Sequence, residues 1–185
     1  MMNVKDIEAF LASQPPIMAV LEHVAALDLP DSWVAAGFIR NAIWDELAGT
    51  DPAGYENSDV DVLYFDPDTI SPEAEQRHEA VLRSRLPSAQ WEVRNQARMH
   101  LRNNDAPYEN TADAMCHWLE TPTAIAARQR GKGVELLAPM GIEDILTLTL
   151  RPTPTGARKL DQFEQRLRER NWQTRWPTMR VVRPH

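Results

Sequence analysis

The chain has 185 residues, 43% of them hydrophobic and 25% charged, and a net charge of −7. That is ordinary composition for a single soluble domain able to bury a core, and one cysteine, Cys116, excludes an internal disulfide framework and suits a reducing compartment. No apolar run approaches the ~18 residues of a membrane span and the N-terminus has no basic-then-apolar signal pattern, so the expected location is the cytoplasm.

Val4 to Ser13 and Ile17 to Leu27 read as two helices separated by Pro15-Pro16, the second with Val20, Leu21, Val24 and Leu27 on one stripe. His23 lies beside that stripe as a helix-surface or core residue rather than a ligand. Asp28 to Ser32 is a turn. Trp33-Val34-Ala35-Ala36-Gly37 then reads as a short buried strand ending at Gly37, followed by a helix from Phe38 to Leu47 with Ile39, Ile43 and Leu47 apolar and Arg40 in its first turn. A glycine at a strand-to-helix turn lets backbone N–H groups approach a phosphate, and the helix N-terminus favours an anion there. Gly49 to Ser58 is a loop, with Tyr55 and Asn57 near its end.

Asp59-Val60-Asp61 opens the strand that continues through Val62-Leu63-Tyr64-Phe65. Residues i and i+2 of a strand point to the same face, so the two carboxylates project side by side and repel unless a cation or proton lies between them. Mg²⁺ is usually held by one or two carboxylates plus substrate phosphates. The bare motif fits a solvated strand end as well. The glycine turn upstream makes it a candidate metal site, because phosphate cradle and carboxylates then flank one hole.

Ser71-Pro72 opens a helix to Arg85, with Ala74, Val81 and Leu82 facing inward. Gln90 to Asn95 is a strand with Trp91, Val93 and Asn95 on one face and Glu92 and Arg94 on the other. A strand–helix–strand unit of this length favours neighbouring strands. Glu92 is then either an exposed strand residue or a third carboxylate sharing the metal or serving as base. Asn95 to His100 reads as a polar post-strand turn in which Arg98 would contact a triphosphate and His100 orient a carboxylate, or both would be structural support. Asn110 or Thr111 caps a helix to Leu119. Cys116 and His117 lack zinc spacing. Thr121 to Arg128 and Val134 to Ala138 form a hairpin about Arg130-Gly131-Lys132-Gly133.

Gly141 to Leu150 reads as a short helix, Ala157 to Arg170 as a basic amphipathic helix, and Trp172 to Pro177 as packed aromatics. Residues 1–150 carry 11 Lys/Arg against 24 Asp/Glu, a balance of −13, whereas residues 151–185 carry 9 against 3, a balance of +6. The expected organisation is a core over 1–150 with a basic helix and tail over 151–185 docked on it, or reaching toward a nucleotide or RNA. The acidic main body lacks the basic stripe of a nonspecific nucleic-acid binder.

Ala35-Ala36-Gly37-Phe38-Ile39-Arg40-Asn41 followed by Asp59-Val60-Asp61-Val62 resembles the signature of the nucleotidyltransferase superfamily, which includes DNA polymerase beta and CCA-adding enzymes. Counting back from Arg40 puts Gly37 at the family's Gly-or-Ser position and Ala36 at its first glycine, a departure. The whole chain is similar to a bacterial branch of nucleotidyltransferase family proteins, sharing Gly-x-x-Arg-Asn, Ser-Asp-x-Asp, Val-Arg-Asn-Gln-Ala-Arg-Met-His and a late Trp-Pro. The resemblance implies an α+β fold with a small mixed sheet flanked by helices and a C-terminal helical extension. It implies Asp59, Asp61 and Glu92 as catalytic and metal-binding residues, Gly37, Arg40, Ser58 and Arg98 as nucleotide-binding ones, and Mg²⁺ or Mn²⁺ with a nucleoside triphosphate. The implied reaction moves a nucleoside monophosphate to a hydroxyl acceptor. No aromatic-and-basic array argues for a polymer template, so the expected acceptor is a small molecule or protein, with nucleic acid and membrane set aside. The competing expectations are a nucleotide-binding or regulatory module without turnover, suggested by Ala36; an antitoxin-like partner protein; and a phosphohydrolase.

Overall fold

The computed structural model describes residues 2–51 and 59–184, so Tyr55, Asn57 and Ser58 lie outside the described residues. Helix α1 (Val4–Ala12) starts at Asn3, whose side chain accepts from the N–H groups of Lys5 and Asp6 while Asp6 accepts from the Asn3 N–H. Helix α2 (Pro15–Ala25) contains both prolines in its first turn, where their missing N–H groups cost nothing, so they begin the helix rather than separate two. Strand β1 (Trp33–Ala35) leads through Ala36 into α3 (Gly37–Ala48), which ends on Gly49 in the left-handed conformation. Strand β2 (Asp59–Tyr64), α4 (Pro72–Arg85) and β3 (Gln90–Asn95) follow, with the Ser71 hydroxyl accepting from the Ala74 N–H. Val81 departs from the expected inward position: it is exposed, while Glu75 is buried.

The expected polar turn after β3 is instead a helix, α5 (Gln96–Asn103). Asn95 turns strand into helix directly, because its side chain accepts from the Ala97 N–H. Helix α6 (Thr111–Cys116) is capped by Asn110 and stops short of Leu119. A 3₁₀ turn (Thr121–Thr123) precedes the hairpin of β4 (Ala126–Arg130) and β5 (Gly133–Leu137). The helix expected over 141–150 shrinks to α7 (Glu143–Leu146), with Leu148 in a left-handed conformation before strand β6 (Thr149–Leu150). The single basic helix is two, α8 (Pro154–Arg158) and α9 (Leu160–Arg170), broken where Lys159 leaves helical geometry at ψ 46°. Helix α10 (Trp172–Arg175) and strand β7 (Arg180–Val181) complete the set, β7 pairing in parallel with β6.

The main sheet is mixed, in the order β3-β2-β1-β4-β5, with β2 and β3 parallel and the remaining pairs antiparallel. One face packs on the helices through Val34, Val60, Val62, Tyr64, Trp91 and Val93, together with Ile39, Ile43 and Trp44 of α3. On the other face, Trp33, Ala35, Ala36, Leu63, Met115 and Ala126 form a smaller cluster. Alternation along β2 therefore places Asp59 and Asp61 on the second face, at the end of the strand beside the β1-to-α3 turn. The α+β fold with a mixed sheet flanked by helices is the one expected. Among the described residues no helix is long and apolar enough to cross a membrane.

Candidate active site

The site begins with a backbone feature. Ala36 joins β1 to α3 with φ 58° and ψ −132°, a region that glycine occupies freely and an L side chain only under strain. The conformation is held at both ends: the Ala36 N–H donates to the Ile125 carbonyl at 2.9 Å, and its own carbonyl accepts from the Arg40 N–H at 2.9 Å. The sequence suggested that Gly37 supplies the unusual turn. The positive φ belongs to Ala36, and Gly37 is the first helical residue, adding close room beside the Arg40 and Asn41 side chains.

The carboxylates come from the two parallel strands. Asp61 faces Ala35 on one side and Glu92 on the other, and Asp59 pairs with Gln90. Burial pushes the Asp61 carboxyl up to about 6, with Glu92 and then Asp59 adding repulsion and Arg166 and Arg170 partly relieving it. Glu92 is about half exposed and lies 3.0 Å from the Arg94 guanidinium. Arg94 in turn contacts Glu79 at 2.9 Å.

Opposite the carboxylates stands a wall the sequence did not place. Helix α9 and the residues after it bring Arg166, Arg170, Asn171, Trp172, Arg175 and Trp176 to a cavity of about 350 Å³ shared with Gly37, Arg40, Asp59 and Asp61. A second cavity of about 490 Å³ lies on the Glu92 side, with Asp61 and Arg166 common to both. The wall is fixed by two buried acids. Asp45 of α3 accepts from the Trp176 indole at 3.0 Å and from the Arg175 guanidinium through both oxygens. Glu120, 1% exposed, holds Arg166 at 2.7 Å.

Arg40 is built in rather than free. It is 4% exposed, lies 4.9 Å from the Trp44 ring and 5.0 Å from the Trp172 ring, and donates to Thr123 Oγ1 at 2.6 Å and to Asn41 Oδ1 at 2.8 Å and 3.2 Å. Burial lowers its pKa to about 10, opposed by the Glu120 charge, so it remains a cation at neutral pH. Three of the five guanidinium N–H donors are engaged among the described residues, and Arg40 lines the cavity.

Of the residues expected at the site, Gly37, Arg40, Asp59, Asp61 and Glu92 come together at these adjoining cavities. Ser58 lies outside the described residues. Arg98 does not join them: its guanidinium forms a two-point pair with Glu75 at 2.7 and 2.5 Å, and Glu75 also accepts from the Asn95 N–H at 2.8 Å. The buried carboxylate of α4 thus captures Arg98 as a brace between α4 and α5. The Arg166/Arg170/Arg175 wall had one sequence signal, the concentration of positive charge after residue 150 in an otherwise acidic chain.

The donor set suits a hard divalent cation: Asp59 and Asp61 project together into a cavity, where burial, then the Glu92 and Asp59 charges, raise the Asp61 pKa. Among the described residues no cluster of three His, Cys, Asp or Glu side chains is drawn close enough to form a complete metal cage, since Glu92 turns to Arg94. Two carboxylates with the remaining positions open to water and phosphate is the arrangement Mg²⁺ favours.

A nucleotidyltransferase family model matches residues 22–181. A solved structure described as revealing a CCA-adding enzyme head domain is 36% identical, covering 98% of this chain and 97% of that one, with a TM-score of 0.86. A CCA-adding enzyme in complex with CTP is 14% identical with a TM-score of 0.59, and a tRNA-processing enzyme complex is 16% identical with a TM-score of 0.54. This chain spans 43% of each of those two proteins, and the likeness to them is one of fold. A search of curated proteins gives no match. Family match and whole-chain similarity agree with the paired carboxylates beside a strand-to-helix turn: the chain belongs to the nucleotidyltransferase family, enzymes that transfer nucleotidyl groups from nucleoside triphosphates.

Proposed function

We propose that the protein binds a nucleoside triphosphate in the cavity between the Gly37 turn and the Arg166/Arg170 wall and transfers its nucleoside monophosphate to a hydroxyl acceptor. The observation that carries this reading is the placement of Asp59 and Asp61 across one cavity from Gly37, Arg40 and Arg170. The N-terminus of α3 and the remaining Arg40 donors would hold the β- and γ-phosphates, and Arg166 and Arg170 would offset charge gathering on the leaving group. The acceptor oxygen bonds to the α-phosphorus, the bond from that phosphorus to the α–β bridging oxygen breaks, and pyrophosphate leaves. The hydroxyl proton passes to a carboxylate of the Asp61/Glu92 pair. Asp59 and Asp61, with Glu92 nearby, would hold Mg²⁺ or Mn²⁺, which when bound polarises phosphoryl oxygens and eases deprotonation of the hydroxyl.

The strained Ala36 supports an active enzyme over a module that has lost turnover, since the backbone keeps the glycine conformation despite the added methyl. The test is a thermal-shift screen of the four ribonucleoside triphosphates, CTP among them, with and without Mg²⁺ or Mn²⁺. It is run on the parent and on Asp59→Ala/Asp61→Ala, followed by product analysis. A metal-dependent upward shift lost in the variant, with pyrophosphate release, supports the reading. Inorganic phosphate as the product points to a phosphohydrolase, stabilisation without turnover to a regulatory module, and no response to any triphosphate to a partner-binding role.

A further inference from the structure

The second cavity has a chemical character distinct from the first. It shares Asp61 and Glu92 with the site, and its other lining comes from α5 (Arg102, Asn103), from the segment after α6 (Trp118) and from the chain entering α9 (Lys159). Of the arginines around the carboxylates, Arg166 is neutralised by Glu120, Arg175 by Asp45 and Arg94 by Glu79 and Glu92, whereas Arg170 of the first cavity has no carboxylate partner among the described residues. In the second cavity the free cations are Arg102 and Lys159. Among the described residues neither side chain has a hydrogen-bond or ion-pair partner, yet they approach one cavity from two separate elements.

With the Glu120–Arg166 pair self-neutralised, the chamber's remaining charges are the cations Arg102 and Lys159 and the carboxylates Asp61 and Glu92. An anion would be held at the Arg102/Lys159 end, as far as the cavity allows from Asp61 and Glu92. A hydroxyl at the other end of the same molecule would reach the carboxylates, while Asn103, whose amide nitrogen donates to the Tyr108 hydroxyl at 3.0 Å, offers its carbonyl oxygen for further hydroxyls and Trp118 a flat apolar surface for the carbon skeleton. A polymer would need several phosphates neutralised, and two cations in a chamber of about 490 Å³ do not supply that footprint.

Building on the transferase reading above, we infer that the acceptor is a small hydroxylated anion, a phosphorylated or carboxylated polyol or sugar, bound between Arg102 and Lys159 with its hydroxyl directed at Asp61 and Glu92. The two cavities then divide the substrates, nucleotide on the Gly37 side and acceptor on the Glu92 side, with Arg166 between them. Neither Arg102 nor Lys159 takes part in nucleotide binding.

The experiment uses the full chain and two assigned indole N–H resonances, Trp172 in the first cavity and Trp118 in the second. A triphosphate analogue with a methylene between the α and β phosphorus atoms is added with Mg²⁺, followed by glycerol 3-phosphate, ribose 5-phosphate or glycerate, and in parallel by glycerol or ribose. The analogue is expected to move Trp172, and the anionic probes Trp118. The neutral probes should bind at least tenfold more weakly. Arg102→Gln/Lys159→Gln should abolish the Trp118 response and leave the Trp172 response intact, and Arg102→Lys should retain it. Equal response to neutral and anionic probes, no Trp118 response to any anion, or an undiminished response in the double variant would overturn the inference. So would a short RNA that moves Trp118 where the small anions do not. A silent Trp172 would instead count against the nucleotide reading, and the Trp118 arm decides the acceptor independently of it.

Discussion

Asp61 and Glu92 stand directly opposite each other on two parallel strands, so the pairing register itself sets one carboxylate against another. Such an arrangement has a definite pH signature. The folded Asp61 carboxyl titrates at about 6 against an ordinary value of 3.8, so the folded state binds this proton more tightly than the unfolded chain does. Stability linked to Asp61 is therefore full below 3.8, declines as pH rises toward 6, and stays lost above it. Asp61→Asn should raise the metal-free protein's unfolding free energy at pH 7.5 by on the order of 2 kcal/mol, and the gain should vanish near pH 4. The same variant should lose at least ~10³-fold in nucleotidyl transfer. Urea unfolding at both pH values with EDTA present checks the first part, and a destabilised Asp61→Asn at pH 7.5 would refute it.

Ala36 offers a test of strain. Its backbone lies where a β-carbon costs about 1–3 kcal/mol, whereas glycine adds about 0.5–1 kcal/mol of unfolded-state entropy. Ala36→Gly should therefore stabilise the fold by about 1 kcal/mol, and Ala36→Val, with a branched β-carbon at positive φ, should destabilise it by more than that. Denaturant midpoints for the three proteins decide the matter. A loss on substituting glycine would mean the conformation is not strained.

Asp45 is 4% exposed and depends on Arg175 and Trp176 for its partners. Arg175→Ala leaves a buried carboxylate without its counter-charge and should cost about 2–3 kcal/mol, below the ~3–5 kcal/mol of fully buried pairs because Arg175 is itself 31% exposed. The cleft wall loosens with it, so triphosphate-induced stabilisation should fall in parallel. Arg175→Ala/Asp45→Asn, which removes the stranded charge, should recover part of the stability and little of the ligand response.

Gly156 shows how tightly α8 sits under the preceding segment. A β-carbon there would lie 2.0 Å from the Leu119 carbonyl oxygen, a backbone atom that cannot swing aside. Gly156→Ala should destabilise by about 3 kcal/mol or more. It lines neither cavity, so the folded fraction should keep its triphosphate affinity, as measured by titration well below the midpoint.

The strand pair was legible because its residues obey local rules. Alternation in Gln90–Asn95 and a Ser-Pro helix start mark the strand's two faces and the crossover helix locally, whereas the register that sets Glu92 beside Asp61 is seen only in the structure. The β1-to-α3 turn was legible in kind but displaced by one residue, since a glycine in the sequence announces conformational freedom and cannot show that the neighbouring alanine carries the positive φ. The fate of Arg98 was hidden for another reason. Its partner Glu75 sits 23 positions earlier in a helix, and burial of that glutamate follows from packing rather than from any pattern along the chain. The cationic wall was foreshadowed only as a charge imbalance, because the break at Lys159 that aims α9 at the carboxylates has no proline or glycine to mark it.

The clamp between Asp45 and Arg175 joins residues 130 positions apart. On the ribosome, the strand carrying Asp59 and Asp61 emerges more than a hundred residues ahead of the arginines that face it. The acidic cluster precedes those arginines through more than a hundred residues of synthesis, at ~5–20 residues per second. Loop closure on this scale is among the slower events of folding. The wall that faces the carboxylates therefore closes only after Arg175 has emerged, 130 positions behind the Asp45 that anchors it.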